Sequence, residues 1–201
     1  MKGKRYSVSG KKTIESIMEK NLVAFGASNS RESINRRFAI FTANQINNGI
    51  VDVLDLNDFE MPIYSVDREK RYGIPEPAKK FKKHLKAADG IIISFAEHNG
   101  SYSVAFKNIF DWISRIEKDV WYQKPMYLLA TSEGKGGAGI VLETAFRKFQ
   151  RMNSNTIRHF SLPRFSENFT ELGGIKVEEL NSRFRLELSA FDRALESLVT
   201  Q

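Results

Sequence analysis

The sequence predicts an α/β fold in which a five-stranded, doubly wound parallel sheet is covered by helices on both faces, giving three layers. Apolar segments of strand length alternate with helical patterns five times along the 201 residues, and parallel strands joined by helical crossovers build that architecture. The segment 91–96 is apolar at nearly consecutive positions, which is typical of a strand buried on both sides. Loops that follow such strands meet at one edge of the sheet, where these folds bind ligands.

The first part of the chain supplies two strands, one helix and a long connection. Strands are predicted at 22–25 and 50–56, with a helix between them that begins near Ile34 and stops at the Asn47-Asn48-Gly49 breaker. The segment 57–74 is charged, and Met61-Pro62 and Gly73 interrupt any regular period in it. We expect it to be an irregular loop across the top of the sheet.

The helix that follows Pro75 has an apolar and a lysine-rich side. Its predicted buried residues are Ala78, Phe81, Leu85 and Ala88. Its predicted outer residues are Lys79, Lys80, Lys82, Lys83 and Lys86. The pattern of an amphipathic helix favours a solvated lysine face, and a binding patch is the alternative.

The helix predicted over 104–116 is apolar on more than one stripe. Its large apolar residues are Phe106, Ile109, Phe110, Trp112, Ile113 and Ile116. One stripe should pack on the sheet, and the other needs a second partner. A second subunit would make the protein a homodimer or homotetramer, and coverage by the 57–74 loop is the alternative.

The last part of the chain supplies two strands and two helices. Strands are predicted at 126–131 and 155–162, and a glycine-rich turn at 132–137 precedes the helix between them. The final helix is the clearest, because its apolar residues recur at steps of three and four over nearly six turns. These residues are Val177, Leu180, Phe184, Leu188, Phe191, Leu195 and Leu198.

Charge and composition narrow the function. The net charge is +7, but residues 1–20 hold six basic and only two acidic side chains. We therefore expect a basic, flexible extension at 1–20 and a single ligand-binding domain at 21–201, and we consider a nucleic-acid partner unlikely. The absence of cysteine excludes disulfides and thiolate chemistry. No apolar run is long enough to span a membrane, so we expect a cytoplasmic protein with no membrane partner.

The turn after the first strand, residues 26–35, reads Gly-Ala-Ser-Asn-Ser-Arg-Glu-Ser-Ile-Asn. The N–H groups at a helix N-terminus lack partners and carry partial positive charge, so they stabilise an anion. Serine and asparagine side chains add donors, which predicts a site for one phosphate group. The same residues are also what an ordinary helix N-cap uses, and this remains the alternative.

The nucleotide that fits best is FMN. A dinucleotide-binding loop needs three glycines in the pattern G-x-G-x-x-G, and only Gly26 is present. A serine-rich loop suits a single terminal phosphate. The loops at 96–103 and 131–138 could supply backbone N–H groups and a flat glycine surface for the ring.

Three motifs in one order give the sequence a specific resemblance. They are Gly26-Ala27-Ser28-Asn29-Ser30-x-x-Ser33-Ile34-Asn35; Ala96-Glu97-His98-Asn99-Gly100-Ser101, continuing to Lys107-Asn108-x-x-Asp111-Trp112-x-Ser114-Arg115; and Lys124-Pro125 through Ser132-x-Gly134-x-Gly136-Gly137. Together they span residues 22 to about 162. On these motifs the chain resembles the flavodoxin-like NAD(P)H-dependent FMN reductase family, which includes small quinone, azo and chromate reductases.

The resemblance implies a flavodoxin-like fold, FMN as cofactor, and NADPH or NADH as hydride donor to a quinone, azo, metal or flavin acceptor. The residues implied at the phosphate are Ser28, Ser30, Arg31, Ser33, Ile34 and Asn35. Those implied beside the ribityl chain and ring are Glu97, His98, Asn99 and Gly100. Those implied at the ring edge are Ser132, Glu133, Gly134, Gly136 and Gly137.

Some positions depart from the family pattern. His98 replaces a usual tyrosine, Glu133 stands where proline is frequent, and Arg31 substitutes for an arginine that relatives often place at position 30. The flavin carries the chemistry in such enzymes, so no catalytic acid or base is required, and no histidine spacing suggests a metal. His98 could tune the flavin, protonate an acceptor or make only a hydrogen bond. A flavodoxin-type electron carrier that acts through a protein partner is the alternative function.

Overall fold

The computed structural model describes residues 19–199, and most of the predicted extension at 1–20 lies outside them. The described residues contain one five-stranded parallel sheet. Its strands are β1 (Lys20–Ala27), β2 (Gly49–Leu54), β3 (Gly90–Phe95), β4 (Met126–Thr131) and β5 (Ile157–Leu162). Their spatial order is β2-β1-β3-β4-β5, and each neighbouring pair is parallel. The predicted flavodoxin-like sheet is confirmed.

Seven helices accompany the sheet in this part of the chain. They are α1 (Ile34–Ala43), α2 (Val66–Tyr72), α3 (Glu76–Ala87), α4 (Val104–Ile113), α5 (Gly139–Gln150), α6 (Phe165–Asn168) and α7 (Glu178–Val199). A short 3₁₀ helix covers Leu56–Phe59. Two small antiparallel hairpins pair Glu97–His98 with Ser101–Tyr102 and Phe169–Thr170 with Gly174–Ile175. None of the helices within residues 19–199 has the length and apolar character needed to cross a membrane.

Side chains alternate across β1 and build two separate cores. Leu22 and Ala24 join the core under α1 and α7, whereas Val23 and Phe25 join the core under α3, α4 and α5. Each core is rich in phenylalanine, and Phe25 packs edge-on against Phe81 with ring centroids 5.3 Å apart. The three predicted layers are therefore confirmed.

Strand β1 begins two residues before its predicted start, inside the expected extension. Lys20 is buried there, and its ammonium lies 2.6 Å from Asp192 and 3.3 Å from Glu196 of α7. A buried lysine needs such partners. The pairing anchors the first strand to the last helix.

The prediction of an irregular loop over 57–74 is wrong in part, because α2 forms within it. Ser65 caps this helix by accepting a hydrogen bond from the Arg68 N–H at 3.2 Å. Acidic residues occupy the first turn and basic residues the last, as the helix dipole favours. Gly73 ends the helix with a φ of +73°. These signals are local and outweighed the absence of an apolar stripe.

The lysine-rich face of α3 is solvated with one exception. Lys82 is buried, and its ammonium donates to the carbonyls of Asp119 and Val120 at 2.9 and 3.0 Å. It also lies 3.8 Å from the ring centre of Tyr122. Burial lowers the pKa of Lys82, against the opposing influence of two nearby carboxylates. The prediction that Lys82 belongs to the outer face is therefore wrong.

The second apolar stripe of α4 is covered by its own chain. Trp112 is 1% exposed, and its indole N–H donates to the Pro62 carbonyl at 2.7 Å. The alternative interpretation, coverage by the 57–74 segment, is thus the one seen here. The proposed subunit interface no longer follows from this helix, and the oligomeric state stays a prediction.

Candidate functional site

The three predicted turns follow β1, β3 and β4 at the carboxyl edge of the sheet, and side-chain hydrogen bonds connect them. The Ser103 hydroxyl, after the first hairpin, donates to the Ala27 carbonyl at the end of β1 at 2.8 Å. The Glu97 carboxylate accepts from the Val141 N–H of α5 at 2.9 Å. The three turns therefore form one connected surface.

Gly26 lets α1 start directly against β1. A Cβ at this position would lie 2.5 Å from the Arg36 nitrogen and 2.7 Å from its Cα. No real side chain fits at such distances. The glycine therefore brings the unpaired N–H groups of the first turn of α1 to the end of the strand.

The serines of the first turn already make part of their hydrogen bonds locally. The Ser28 hydroxyl accepts from the Ser30 N–H at 3.1 Å, and the Ser33 hydroxyl caps α1 by accepting from the Arg36 N–H at 3.2 Å. Each hydroxyl still has its own proton to donate. Ser30 and Arg31 are exposed. The role of Ser33 as the N-cap of α1 is therefore compatible with a phosphate site at this turn.

Asn35 is turned toward the sheet rather than toward the solvent side of the turn. Its amide donates to the Thr131 carbonyl at 3.1 Å, and its carbonyl oxygen accepts from the Thr131 N–H at 3.1 Å and from the Ser94 hydroxyl at 2.7 Å. Asn35 is buried, with 3% of the residue exposed. It connects α1 with β3 and β4, so the backbone N–H groups of Ile34 and Asn35 are the groups left for a phosphate.

The charges of Arg31 and Arg36 act on Asp55, and the Arg36 guanidinium lies 3.8 Å from the Asp55 carboxylate. Burial raises the pKa of Asp55, at the end of β2, but hydrogen bonds from Asn57 and the two arginine charges outweigh it and hold the pKa below its ordinary value of 3.8. The Arg36 Nε is buried and has no hydrogen-bond partner among the described residues. Sequence analysis did not assign Arg36 or Asp55 to the site.

The second turn is the tip of a hairpin. Asn99 and Gly100 have φ values of +52° and +72°, as a type I′ turn requires. The turn exposes His98 at the edge of the sheet. Glu97 instead caps α5, whose own N-cap residue, Ala138, offers no side-chain acceptor. The structure thus gives Glu97 a structural contact that sequence analysis did not foresee.

The third turn is rich in glycine; it is open at Gly134 and Gly136 and tightly packed at Gly137. A Cβ at Gly136 would meet no atom within 4 Å, and one at Gly134 would meet only the Ser132 hydroxyl at 3.8 Å. Gly137 has a φ of +57°, and its Cβ would lie 2.9 Å from the Pro163 nitrogen. The Glu133 carboxylate accepts from the Ser166 N–H and hydroxyl at 3.1 and 2.9 Å. Glu133 therefore faces α6.

A cavity of about 540 Å³ opens between the first turn and the hairpin. Asn29 and His98 both line it, and further walls come from α4 and from the segment that follows β2. The α4 residues in the wall are Val104, Ala105, Asn108 and Ile109. The residues of that segment in the wall are Leu56, Phe59, Glu60, Met61 and Ile63. Sequence analysis placed this segment over the top of the sheet but assigned none of its residues to the site. Its position after a parallel strand was the available signal.

The residues present suit a ligand that has a phosphate at one end and a flat ring at the other. The first turn offers hydroxyl protons, free N–H groups and Arg31, and the glycine turn leaves room where a Cβ would stand at Gly136. The cavity adds apolar walls beside these donors. This arrangement fits FMN.

Comparisons with known proteins agree with this geometry. The chain is 32% identical over 136 residues to an uncharacterised protein from Mycoplasma pneumoniae, covering 63% of this chain and 78% of that protein. It is 34% identical over 112 residues to a 2-hydroxy-1,4-benzoquinone reductase from Burkholderia sp., covering 55% of this chain and 59% of that enzyme. The chain thus matches somewhat more than half the length of this quinone reductase.

Among solved structures, the fold is similar to that of FerB, a flavoenzyme NAD(P)H:(acceptor) oxidoreductase from Paracoccus denitrificans. The TM-score is 0.69 at 20% identity, and the match covers 89% of this chain and 98% of FerB. The model of the family described as NADPH-dependent FMN reductase matches residues 21–167. The chain therefore belongs to the NADPH-dependent FMN reductase family of oxidoreductases.

Proposed function

We propose that this chain binds FMN at the carboxyl edge of its sheet and uses NADPH or NADH to reduce a small quinone. The observation that carries the proposal is the shared cavity, which is lined both by Asn29 of the first turn and by His98. In the overall reaction, NADPH, a proton and a quinone give NADP⁺ and a hydroquinone. The quinone reductase from Burkholderia supports this choice of acceptor.

The phosphate end would be held by the first turn. Ser28, Ser30 and Ser33 would donate their hydroxyl protons, and the N–H groups of Ile34 and Asn35 would add the partial charge of the helix terminus. Arg31 is exposed and would supply a full positive charge. The sheet-facing bonds of the Asn35 side chain keep this turn in place.

The ring end would lie against the hairpin and the glycine turn. His98, Asn99 and Gly100 would flank it on one side, and Ser132, Gly134, Gly136 and Gly137 would lie at its edge. Bound FMN supplies the hydride-accepting and electron-donating chemistry. The chain itself would orient the ring and exclude water with the apolar cavity wall, and the His98 imidazole would donate a proton or a hydrogen bond.

The direct test is to purify the full-length chain with added FMN and to pass it through a gel-filtration column. We expect retained FMN with a flavin absorption band, and NADPH oxidation when only 1,4-benzoquinone is added. Turnover without a protein partner distinguishes the reductase from a flavodoxin-type electron carrier. A protein that retains no FMN would refute the proposal.

A matched pair of variants tests the phosphate site. The Arg31 side chain is exposed, and its charge acts on Asp55 without a hydrogen bond, so Arg31→Ala should change stability little. We expect it to weaken FMN binding about fivefold to tenfold, because it removes a charge-assisted contact at an exposed position. Lys83→Ala removes the same charge from the exposed face of α3 and is the control. Equal affinity in both variants would contradict the assigned role of Arg31.

The oligomeric state and a cytoplasmic location are further proposals from the sequence. Light scattering on the eluted protein would determine whether it is a homodimer or homotetramer. A monomer at micromolar concentration would contradict the first of these proposals.

A further inference from the structure

The motif at 107–115, on and after α4, has no part in the proposed cofactor contacts. In the structure, three of its side chains reach one common partner. Asn108, Trp112 and Arg115 all contact the segment 61–69, which we call the strap. The strap runs from the cavity wall into α2.

Asn108 uses both ends of its carboxamide on the backbone of the strap. Its amide donates to the carbonyls of Met61 and Pro62 at 3.1 and 3.3 Å, and its carbonyl oxygen accepts from the Tyr64 N–H at 2.9 Å. This part of the strap lies outside any strand or helix, so its backbone polar groups depend on such partners. One side chain therefore fixes three backbone groups of an irregular segment.

Trp112 and Arg115 fix the same segment at two further points. The Trp112 indole donates to the Pro62 carbonyl at 2.7 Å, and its ring meets the Tyr64 ring edge-on at 5.0 Å. Arg115 donates to the Glu69 carboxylate at 3.0 Å, and the Tyr64 hydroxyl donates to that carboxylate at 3.0 Å. The strap is thus attached at both of its ends, to α4 through Trp112 and to the turn after α4 through Arg115.

The anchored segment is also a wall of the cavity. Met61 and Ile63 of the strap line the cavity that Asn29 and His98 also line. Ile63 is 65% exposed, so its apolar side chain is available to a ligand. A fixed apolar wall at this place favours a flat apolar acceptor over a small hydrated ion.

We propose that Asn108, Trp112 and Arg115 are positioning residues that hold the strap as the acceptor-side wall, and that this wall gives the site its preference for quinone rings. The inference rests on the proposed function. It assigns specificity to helix α4, which lines the cavity itself with Asn108 and fixes the backbone of Met61 and Pro62 in the neighbouring wall.

The test compares Asn108→Ala and Trp112→Phe with Lys107→Ala. Lys107 lies on the same helix and pairs with Asp111 rather than with the strap, so it is a matched control. We expect the KM for 1,4-naphthoquinone to rise about fivefold in the first two variants, as for a lost hydrogen bond of ordinary strength. Retained FMN and kcat with ferricyanide, a small ion that needs no apolar wall, should stay within about twofold.

A second readout needs no cofactor. The strap and the rest of α2 contain Arg68, Lys70 and Arg71, which trypsin can cut once this segment opens. We expect cleavage there to be faster in Asn108→Ala and Trp112→Phe than in the wild type or in Lys107→Ala. Trp112→Phe keeps an aromatic side chain but loses the indole N–H and part of the buried ring volume, so it provides a second test if Asn108→Ala does not fold.

The outcomes separate the two proposals. A wild-type protein that retains no FMN refutes the proposed function, whereas the trypsin comparison still decides whether the strap is anchored by these residues. An active wild type whose Asn108→Ala and Trp112→Phe variants keep the quinone KM and the cleavage rate overturns the inference. A rise in the quinone KM that Lys107→Ala shares also overturns it. So does a rise in the quinone KM that is accompanied by an equally large loss of kcat with ferricyanide.

Discussion

Replacing Gly26 by alanine tests whether the close approach of α1 to β1 builds the phosphate turn. The new Cβ would stand 2.5 Å from the Arg36 nitrogen and 2.7 Å from its Cα. Both atoms are backbone, so no side-chain rotation can relieve the contact. Helix α1 must move as a body, or β1 must bend.

The size of the effect follows from the displacement. Ordinary contact begins at 3.4 Å, so the helix start must move by about 0.9 Å, the difference between 3.4 and 2.5 Å. Overpacking of this kind costs about 1–3 kcal/mol of the free energy of unfolding. The three Asn35 hydrogen bonds at 2.7–3.1 Å would stretch as well, adding about 1 kcal/mol. We therefore expect a loss of about 3 kcal/mol.

Urea denaturation of the apoprotein measures this loss, and a thermal melt should show a midpoint lower by about 6–12 °C. FMN titration followed by flavin fluorescence should show affinity at least tenfold weaker, since about two hydrogen bonds to the phosphate would lengthen beyond useful range.

Gly139→Ala is the matched control. A Cβ at Gly139 meets no atom within 4 Å, and the residue begins α5. This variant should be as stable as the wild type or more stable by up to about 1 kcal/mol. If Gly26→Ala unfolds within about 0.5 kcal/mol of the wild type and binds FMN equally well, the reasoning about the close approach is refuted.

Three further changes have defined outcomes. Asn35→Ala should lower the free energy of unfolding by about 2–4 kcal/mol in urea melts, because it leaves buried groups of Thr131 and Ser94 unpaired; a loss below about 1 kcal/mol would contradict the buried network. Glu97→Ala removes the acceptor of the Val141 N–H and should cost about 1 kcal/mol, whereas Glu97→Gln, which keeps an acceptor oxygen, should recover most of it. Burial lowers the pKa of His159 below its ordinary 6.5, so its neutral form stabilises the fold above pH 6.5, and that contribution is lost as the pH falls below 6.5 and the unfolded chain takes up the proton. His159→Gln should flatten the acid side of the stability curve between pH 7 and 5, and an unchanged slope would count against this assignment.

The sheet was predictable because its signals are local and repeated. Residues 91–93 are three consecutive isoleucines, and all three are buried in β3. The positions of β4 and of the glycine turn after it also follow from runs of one kind of residue. Such runs determine strand and turn positions without knowledge of distant contacts.

The long-range roles of polar residues were not predictable. Lys82 repeats the spacing of exposed lysines, yet it is buried and donates to the carbonyls of Asp119 and Val120, which are 37 and 38 residues away in the sequence. Glu97 and Glu133 lie in loops that the sequence assigns to cofactor contacts. In the structure, both carboxylates accept hydrogen bonds from N–H groups at the start of a helix. A sequence pattern gives the type of each side chain, but the choice of partner depends on the tertiary fold.

The hairpin at 169–175 shows the same limit. No apolar period marks it, and it forms because Gly174, with a φ of +69°, leaves room for the ring of Phe41. The missing Cβ would stand 2.6 Å from that ring. Only the packed structure identifies that neighbour.

The ion pairs of Lys20 with Asp192 and Glu196 have a practical consequence for handling the protein. They bring the start of β1 and the end of α7 together at the amino edge of the sheet, across the molecule from the three turns. An electrode or resin linked near either of these points would therefore leave the opposite edge facing the bulk solution, with its entrance unobstructed.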